Sequence, residues 1–393
     1  MNTPATGEDR GPSPAQPGLL RSLNNRVVLE LLVEHGTLSR GDVHTLTGLS
    51  KPTASQLLQR LEESGLVLRS GFGETGPGGR APQLYRVDPR AGHAAAVDVR
   101  HGRVRVRITD ITGAVISDET HTTPGADAGP RGAVSALEAC CASASLGLAQ
   151  LNAVVVGVPG SYDADADTLW YVDHLPGWQR PTVGAELRAL LPHATVAIEN
   201  DVNLAAIAEQ RARGEEDSFF LFWLDDGVGG AIVIDGSLHR GSRGAAGEAA
   251  FLLTPGAILD AESRSDGALE RQIGATALRA LAAEVGHQAP TAADALRAIL
   301  DDADAASALS TLASRYALAL GSVIALLDPA RLVLAGELAH LGGARLRDAV
   351  VRELDALVLT APPVETARVT DSPILEGAMH MSLGIARERV FTT

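Results

Sequence analysis

The sequence predicts an α/β protein in two parts: a small winged helix-turn-helix, then a two-lobed body built from a repeated strand-led unit. Three observations carry this. Residues 39–66 hold two short, capped helical patterns joined by a glycine turn. From residue 94 the apolar period changes from helical to alternating, in the order β-β-β-α-β-α. A second strand-led set opens at residue 219 with FFLFWLDD and GGAIVIDG.

Taken in order, residues 1–18 (MNTPATGEDRGPSPAQPG) lack an apolar core and are rich in Pro, Gly and Ala, which predicts a disordered tail and not a signal peptide. Residues 19–35 read as an amphipathic helix with Leu23, Val27, Val28, Leu31 and Leu32 on its inner side. Ser39, with Asp42 three positions on, is a capping-box-like start. Val43 and Leu46 give that helix its apolar face, and Gly48 stops it. Ser50 is a second N-cap, and Pro52 is tolerated in a first turn that has no acceptor for its missing N–H. In the next helix Ala54, Leu57, Leu58 and Leu61 fall on one face. The opposite face carries Pro52, Ser55, Gln56 and Gln59, flanked by Thr53 and Arg60, with Lys51 at its start.

Short hydrogen-bonding side chains and a cation on a groove-sized helix suit base and phosphate contacts. The plainer reading is two surface helices of a larger helical domain. Two capped helices around a tight glycine turn favour the DNA-binding motif. Residues 67–69 and 83–87 alternate as a hairpin. The Gly/Pro-rich stretch 71–82 between them reads as a wing. Its one cation, Arg80, suits a narrow minor groove, or is an ordinary solvated charge. The candidate DNA contacts are Ser50, Lys51, Thr53, Ser55, Gln56, Arg60 and Arg80, in a module spanning residues 19–89.

The body, residues 90–393, begins with strands at 94–99, 103–110 and 114–121, a helix over 133–148 and a buried strand over 153–158 that ends in Pro159 and Gly160. A helix near 183–191, the strand ATVAIE and a helix opening at Asn200–Asp201 complete a half-unit of the actin-like ATPase fold. After residue 219 come two strands, helices from 268 to 327, the strand RLVLAG, a helix near 346–357, the strand ARVTD (367–371) and a terminal helix over 374–388. Two strand-led halves imply a duplicated core with a cleft between lobes.

At 393 residues the chain has room for two or three domains with sizeable cores. No apolar run looks long enough to span a bilayer. The two cysteines, Cys140 and Cys141, are helix neighbours that do not bridge, which fits a reduced, cytoplasmic protein without a cysteine metal cage. The net charge is −15, yet residues 19–89 hold eight Arg/Lys against seven Asp/Glu. An acidic body beside a near-neutral reader leaves DNA binding to a few placed cations.

Five stretches, in order behind the helix-turn-helix, carry a resemblance: VVVGVPGSYD (154–163), VAIENDVNLAAIAE (196–209), GAAGEAAF (244–251), DGALE (266–270) and LLDPARLVLAG (326–336). The chain resembles the ROK family of repressors, open reading frames and sugar kinases, and more narrowly its winged-helix transcriptional regulators. The resemblance implies that Asn200 and Asp201 bind sugar, Asp201 matching the base that takes the hydroxyl proton in the kinases. It further implies that Glu248 and Glu270 contact sugar and that Gly160 is the strand-end glycine. An Asn or Asp at a helix start is also a common N-cap. Three acids and an amide converging on one cleft are costly unless polyol donors satisfy them.

The departures from the family decide the expected chemistry. Its first phosphate loop, Asp-x-Gly-Gly-Thr-Lys, reads Asp98-Val99-Arg100-His101-Gly102-Arg103 here, with bulk where backbone meets phosphate. Its second, Gly-Thr-Gly, reads Asp225-Asp226-Gly227. At an effective dielectric of about 20, one like-charge pair at ~4 Å costs about 4 kcal/mol. The family's zinc ligands, a His and three Cys, fall on Phe251 and on the cysteine-free residues 252–269, including Ala268. Phe251 would instead offer an apolar face to a sugar ring.

The expectation is therefore a transcriptional repressor with no catalytic residue, no cofactor and no metal. It binds double-stranded DNA at a palindromic operator as a homodimer or higher homo-oligomer, responds to a sugar or sugar phosphate, and has no membrane partner. Two alternatives stay open: an active sugar kinase carrying a DNA-binding domain, and a regulator without a small-molecule effector.

Overall fold

The computed structural model describes residues 17–74, 81–122, 129–171, 175, 177–214 and 218–392, with side chains from residue 21 onward. The chain divides into two compact units. One gathers the described residues up to His93 with Thr109–Ala114 and the segment from Leu383; the other holds Ala94–Ile108 and Val115–Ser382. The expected tail, apart from its last residues, lies outside the described part.

The first unit opens with α1 (Pro17–His35), β1 (Leu38–Ser39), α2 (Arg40–Thr47), α3 (Lys51–Glu63), β2 (Val67–Phe72) and β3 (Gln83–Val87). The three strands form an antiparallel sheet in the order β1-β3-β2. Ser39 Oγ accepts from Asp42 N at 3.2 Å while Asp42 Oδ2 accepts from Ser39 N at 2.8 Å, so the capping box closes. Gly48 ends α2 at φ 70°. Ala54, Leu57, Leu58 and Leu61 are all buried, each leucine contributing about 1.5–3 kcal/mol of apolar transfer.

Two details differ from expectation. The buried stripe of α1 is Val28, Leu29 and Leu32, whereas Leu23 and Val27 are 49% and 44% exposed. Leu46 is likewise half out, at 48%, and Val43 alone anchors α2. In so small a module only the residues that reach α3 and the sheet find a core. Away from the hairpin, Arg387 Nε donates to Ile111 O at 3.0 Å and Arg26 lies 3.7 Å from Glu388, tying the 109–114 turn, the end of the last helix and α1 within this unit.

The second unit is built on two five-stranded sheets. One comprises β4 (His93–Arg100), β5 (Arg103–Asp110), β6 (Val115–Thr122), β7 (Leu151–Val158) and β10 (Thr195–Asn200), in the order β10-β7-β4-β5-β6. The other comprises β11 (Phe219–Leu224), β12 (Val228–Ile234), β13 (Ser237–His239), β14 (Arg331–Ala335) and β15 (Val364–Thr366), in the order β13-β12-β11-β14-β15. Numbered within its own half, each sheet reads 5-4-1-2-3, which is the expected duplication. A short hairpin, β8 (Ser161–Asp163) with β9 (Thr168–Trp170), branches off after β7. The first half carries α4 (Pro130–Ser143), α5 (Val183–Leu190) and α6 (Asp201–Arg213). The second carries α7 (Ala261–Asp266), α8 (Glu270–Ile273), α9 (Ala275–Glu284), α10 (Ala292–Asp301), α11 (Ala306–Leu327), α12 (Glu337–Leu357) and α13 (Pro373–Phe391).

The equivalent helices α6 and α13 cross closely: a Cβ on Gly377 would stand 1.8 Å from Leu204 O, so only glycine fits. The helix expected from residue 346 starts earlier, at Glu337, and breaks at Gly343 (φ 48°, ψ −138°). The strand expected at 367–371 lies at Val364–Thr366 instead. Arg368 N and Val369 N donate to the Glu209 carboxylate at 2.8 and 3.1 Å, and so are withdrawn from any ladder. Residues 303–327 are long and apolar enough to cross a bilayer, contrary to expectation. Leu312, Tyr316 and Leu320 from this stretch are buried among Leu296, Leu334 and Leu346, which makes α11 a core helix.

Candidate functional site

The candidate DNA-contact residues of α3 lie on its exposed face. Lys51, Thr53, Gln56 and Arg60 are exposed and Ser55 is half-buried, on the side away from Leu57 and Leu61. Ser50 and Thr53 serve the helix start: Ser50 Oγ accepts from Thr53 N at 3.3 Å and lies 2.8 Å from Thr53 Oγ1. Among the described residues, Lys51, Gln56 and Arg60 make no side-chain hydrogen bond or ion pair. Gln59 is turned to Glu63 at 2.9 Å. At the base of the wing Gly73 N donates to Pro82 O at 2.8 Å; Arg80 itself lies outside the described residues. Sequence reasoning passed over Arg40. Its Nε donates to Tyr85 Oη at 3.1 Å and its guanidinium stands 5.6 Å from the centre of that ring. A cation on the first residue of α2 was the available signal.

The sugar-site candidates gather around the start of α6. Asn200 caps this helix, Oδ1 accepting from Asn203 N at 2.9 Å, while Nδ2 donates to Gly160 O at 3.1 Å. Gly160 turns the chain at φ 104° between β7 and β8. Asp201 is buried, with Oδ1 accepting from Val202 N at 2.8 Å and Oδ2 3.1 Å from Arg100 Nη1. Burial pushes the Asp201 carboxyl above its ordinary value, Asp98 and Asp225 add to the rise, and Arg100 opposes it. Glu248 accepts from Ser161 Oγ. Burial raises this carboxyl too, with Asp201 adding to the rise and Ser161 opposing it. The glycine before it is obligatory: a Cβ on Gly247 would meet Gly230 O at 2.5 Å. Asn200, Asp201, Gly160 and Glu248 are thus brought together.

Glu270 is held by a different contact. Its Oε2 accepts from Val228 N at 2.7 Å, and its charged neighbours are Asp266 and Asp226. Burial again raises its carboxyl, against the pull of Val228 N–H. Phe251 packs against Tyr171 with the rings tilted at 42° and their centres 4.6 Å apart, so part of its apolar surface is already covered.

Neither phosphate loop fits a nucleotide. Arg100 Nε lies 3.1 Å from Asp98 Oδ1, so its guanidinium spans Asp98 and Asp201. Burial works against that charge, but Asp201, Asp98 and Asp225 outweigh it and raise the Arg100 pKa. In the second loop Asp226 N donates to Asp225 Oδ1 at 2.9 Å, a carboxylate standing where the family has glycine. The zinc position fits no better. Leu269 N donates to Ala250 O at 2.9 Å across the base of the loop, and Arg271 pairs with Asp260 at 2.6 Å, with no thiolate or imidazole in the segment. Glu199 is a further buried acid that the sequence did not disclose. It accepts from Asn203 Nδ2 at 2.9 Å and from Arg240 Nε at 2.6 Å.

Comparison with known proteins matches residues 94–382 to the ROK family and residues 22–74 to the MarR family. The chain is 27% identical over 237 residues to a putative xylose repressor of Caldicellulosiruptor sp. (strain Rt8B.4), covering 58% of each chain. It therefore spans little more than half the length of that relative. A ROK family transcriptional regulator, homologue of the E. coli MLC protein, superposes with a TM-score of 0.73 at 17% identity over 94% of this chain and 98% of that one. A ROK hexokinase from Thermus thermophilus gives a TM-score of 0.62 at 25% identity over 74% and 97%.

Proposed function

The chain belongs to the ROK family, and on that premise we propose that it is a DNA-binding transcriptional repressor whose kinase-like body senses a sugar without catalysing its phosphorylation. The winged helix, residues 19–89, reads the operator; residues 90–393 bind the effector and dimerise. One observation carries the reading: polyol-type groups persist at Asn200, Asp201 and Glu248, while Arg100, Asp225 and Asp226 fill both phosphate loops with charge. A cytoplasmic homodimer on a palindrome would set two α3 helices in successive major grooves. A sugar that binds two lobe arrangements unequally would change their spacing, and the coupling equals that difference in affinity.

The test is a melt against a panel of sugars, beginning with xylose because of the relative's name. At one hundred times its dissociation constant a ligand adds about 2.7 kcal/mol. Asp201→Ala and Glu248→Ala should keep operator affinity and lose the sugar response; variants that respond like the parent would move the effector site elsewhere. A second reading, an active kinase, draws on Asp201 at the start of α6. It requires sugar-dependent ATP hydrolysis that Asp201→Asn abolishes.

A further inference from the structure

Arg100 stands at the end of β4, three-quarters buried, with Nε on Asp98 and Nη1 on Asp201. The groups facing Asp201 are Arg100 and Asp98 from β4, Asp225 from the turn after β11, and Glu248 from the turn before Ala249. Glu199, one position back from Asn200, has its charge met by Arg240. Around Arg100 the acids therefore outnumber the bases. Its side chain has only donors and stays protonated at any working pH.

We propose that Arg100 sets the ligand class of this site: by holding Asp98 and Asp201 together it leaves a cleft that accepts an uncharged polyol and refuses a phosphate ester or nucleotide. The ligand half of this rests on the sugar-sensing reading. A hydroxyl suits the arrangement because it both donates and accepts. It can give its proton to Asp201 Oδ2 and take an N–H from the guanidinium edge beside it. A phosphate only accepts, and it meets a guanidinium already neutralised by two carboxylates, with Asp225 and Glu248 adding like charge. Arg100 is a positioning residue for Asp201: its Nη1 holds Asp201 Oδ2 at 3.1 Å and favours the carboxylate, so without it the buried acid is freed to turn and takes up a proton more readily.

The experiment uses the full chain, as parent, Arg100→Gln, Arg100→Lys and Asp98→Asn. Ligand-free melts come first. The melting deficit of Arg100→Gln should be largest near pH 8 and shrink toward about pH 5, because its unpaired Asp201 is neutralised as pH falls. Arg100→Lys should restore the parent profile. A deficit that is the same at every pH marks a merely structural arginine and overturns the proposal, leaving the sugar-sensing reading intact. Titrations with xylose, glucose and N-acetylglucosamine, beside glucose 6-phosphate, N-acetylglucosamine 6-phosphate and magnesium ATP, follow. An uncharged sugar should bind at least about tenfold more tightly than any phosphate ester, and Asp98→Asn, which frees one guanidinium edge, should narrow that gap. Tighter binding of an ester, lost in Arg100→Gln, makes Arg100 a phosphate clamp and overturns the proposal. If no sugar binds in either form, the sugar-sensing reading fails, and the Arg100 pairing is decided by the ligand-free melts.

Discussion

The helices α3 and α6 begin alike and serve differently. Each has 13 residues, and each is capped by a side chain that accepts from the N–H three positions on, Ser50 from Thr53 and Asn200 from Asn203. Beyond the cap they part. Helix α3 buries one apolar face and leaves Lys51, Gln56 and Arg60 in solvent. Helix α6 is buried on nearly every side, its charges included: Asp201, Glu209 and Arg213 are all internal. One helix leaves its polar groups in solvent. The other spends them on its own fold.

That contrast predicts the largest effect at Glu209. It accepts from Arg213 Nε at 2.8 Å as well as from Arg368 N and Val369 N, and is 1% exposed. Glu209→Ala strands two amides and leaves the buried Arg213 guanidinium with Glu365 as its remaining carboxylate, and should cost about 3–5 kcal/mol in urea unfolding. Glu63→Ala on the exposed end of α3 should stay within about 0.5 kcal/mol. Equal losses would erase the distinction between the two helices.

Next comes Gln56. Gln56→Ala should leave the melting temperature unchanged and relax sequence preference at one base pair per half-site, by about 1–3 kcal/mol in binding. Lys51→Ala should weaken binding to all sequences alike and reduce the salt slope by about 1. Loss of stability in either variant, with DNA affinity intact, would make α3 a packing helix.

The smallest effect concerns pH and Glu248. Its folded pKa is raised, mainly by burial, so the fold favours its protonated form. Stability from that preference is present below the ordinary glutamate range and lost as pH rises through the raised value. Glu248→Gln should therefore melt higher than the parent near pH 8 and level with it near pH 4. The opposite order would mean that Ser161 and the surrounding backbone stabilise the ionised form more than burial disfavours it.

Much of the fold was legible because it rests on period and punctuation. Ser39, Gly48, Ser50 and the 54/57/58/61 stripe fixed the helix-turn-helix, and alternation over 103–110 marked β5 to the residue. The site was legible only in part. Asn200 and Asp201 stood out as a helix start, but the partners of Asp201, Glu209 and Glu270 did not, since Arg100, Arg368 and Val228 lie far from them in sequence. The same cause displaced the expected strand at 367–371: Glu209, remote in the chain, took the amides the ladder would have used.

By itself the sequence determined the elements and the duplicated strand order, because helix caps, apolar period and glycine turns act within a few residues of one another. Tertiary structure alone decided that Arg100 closes on Asp201, that Glu270 holds the Val228 turn and that Phe251 lies on Tyr171. A buried charge or ring must find its complement wherever the fold brings one, and sequence spacing carries no record of that meeting.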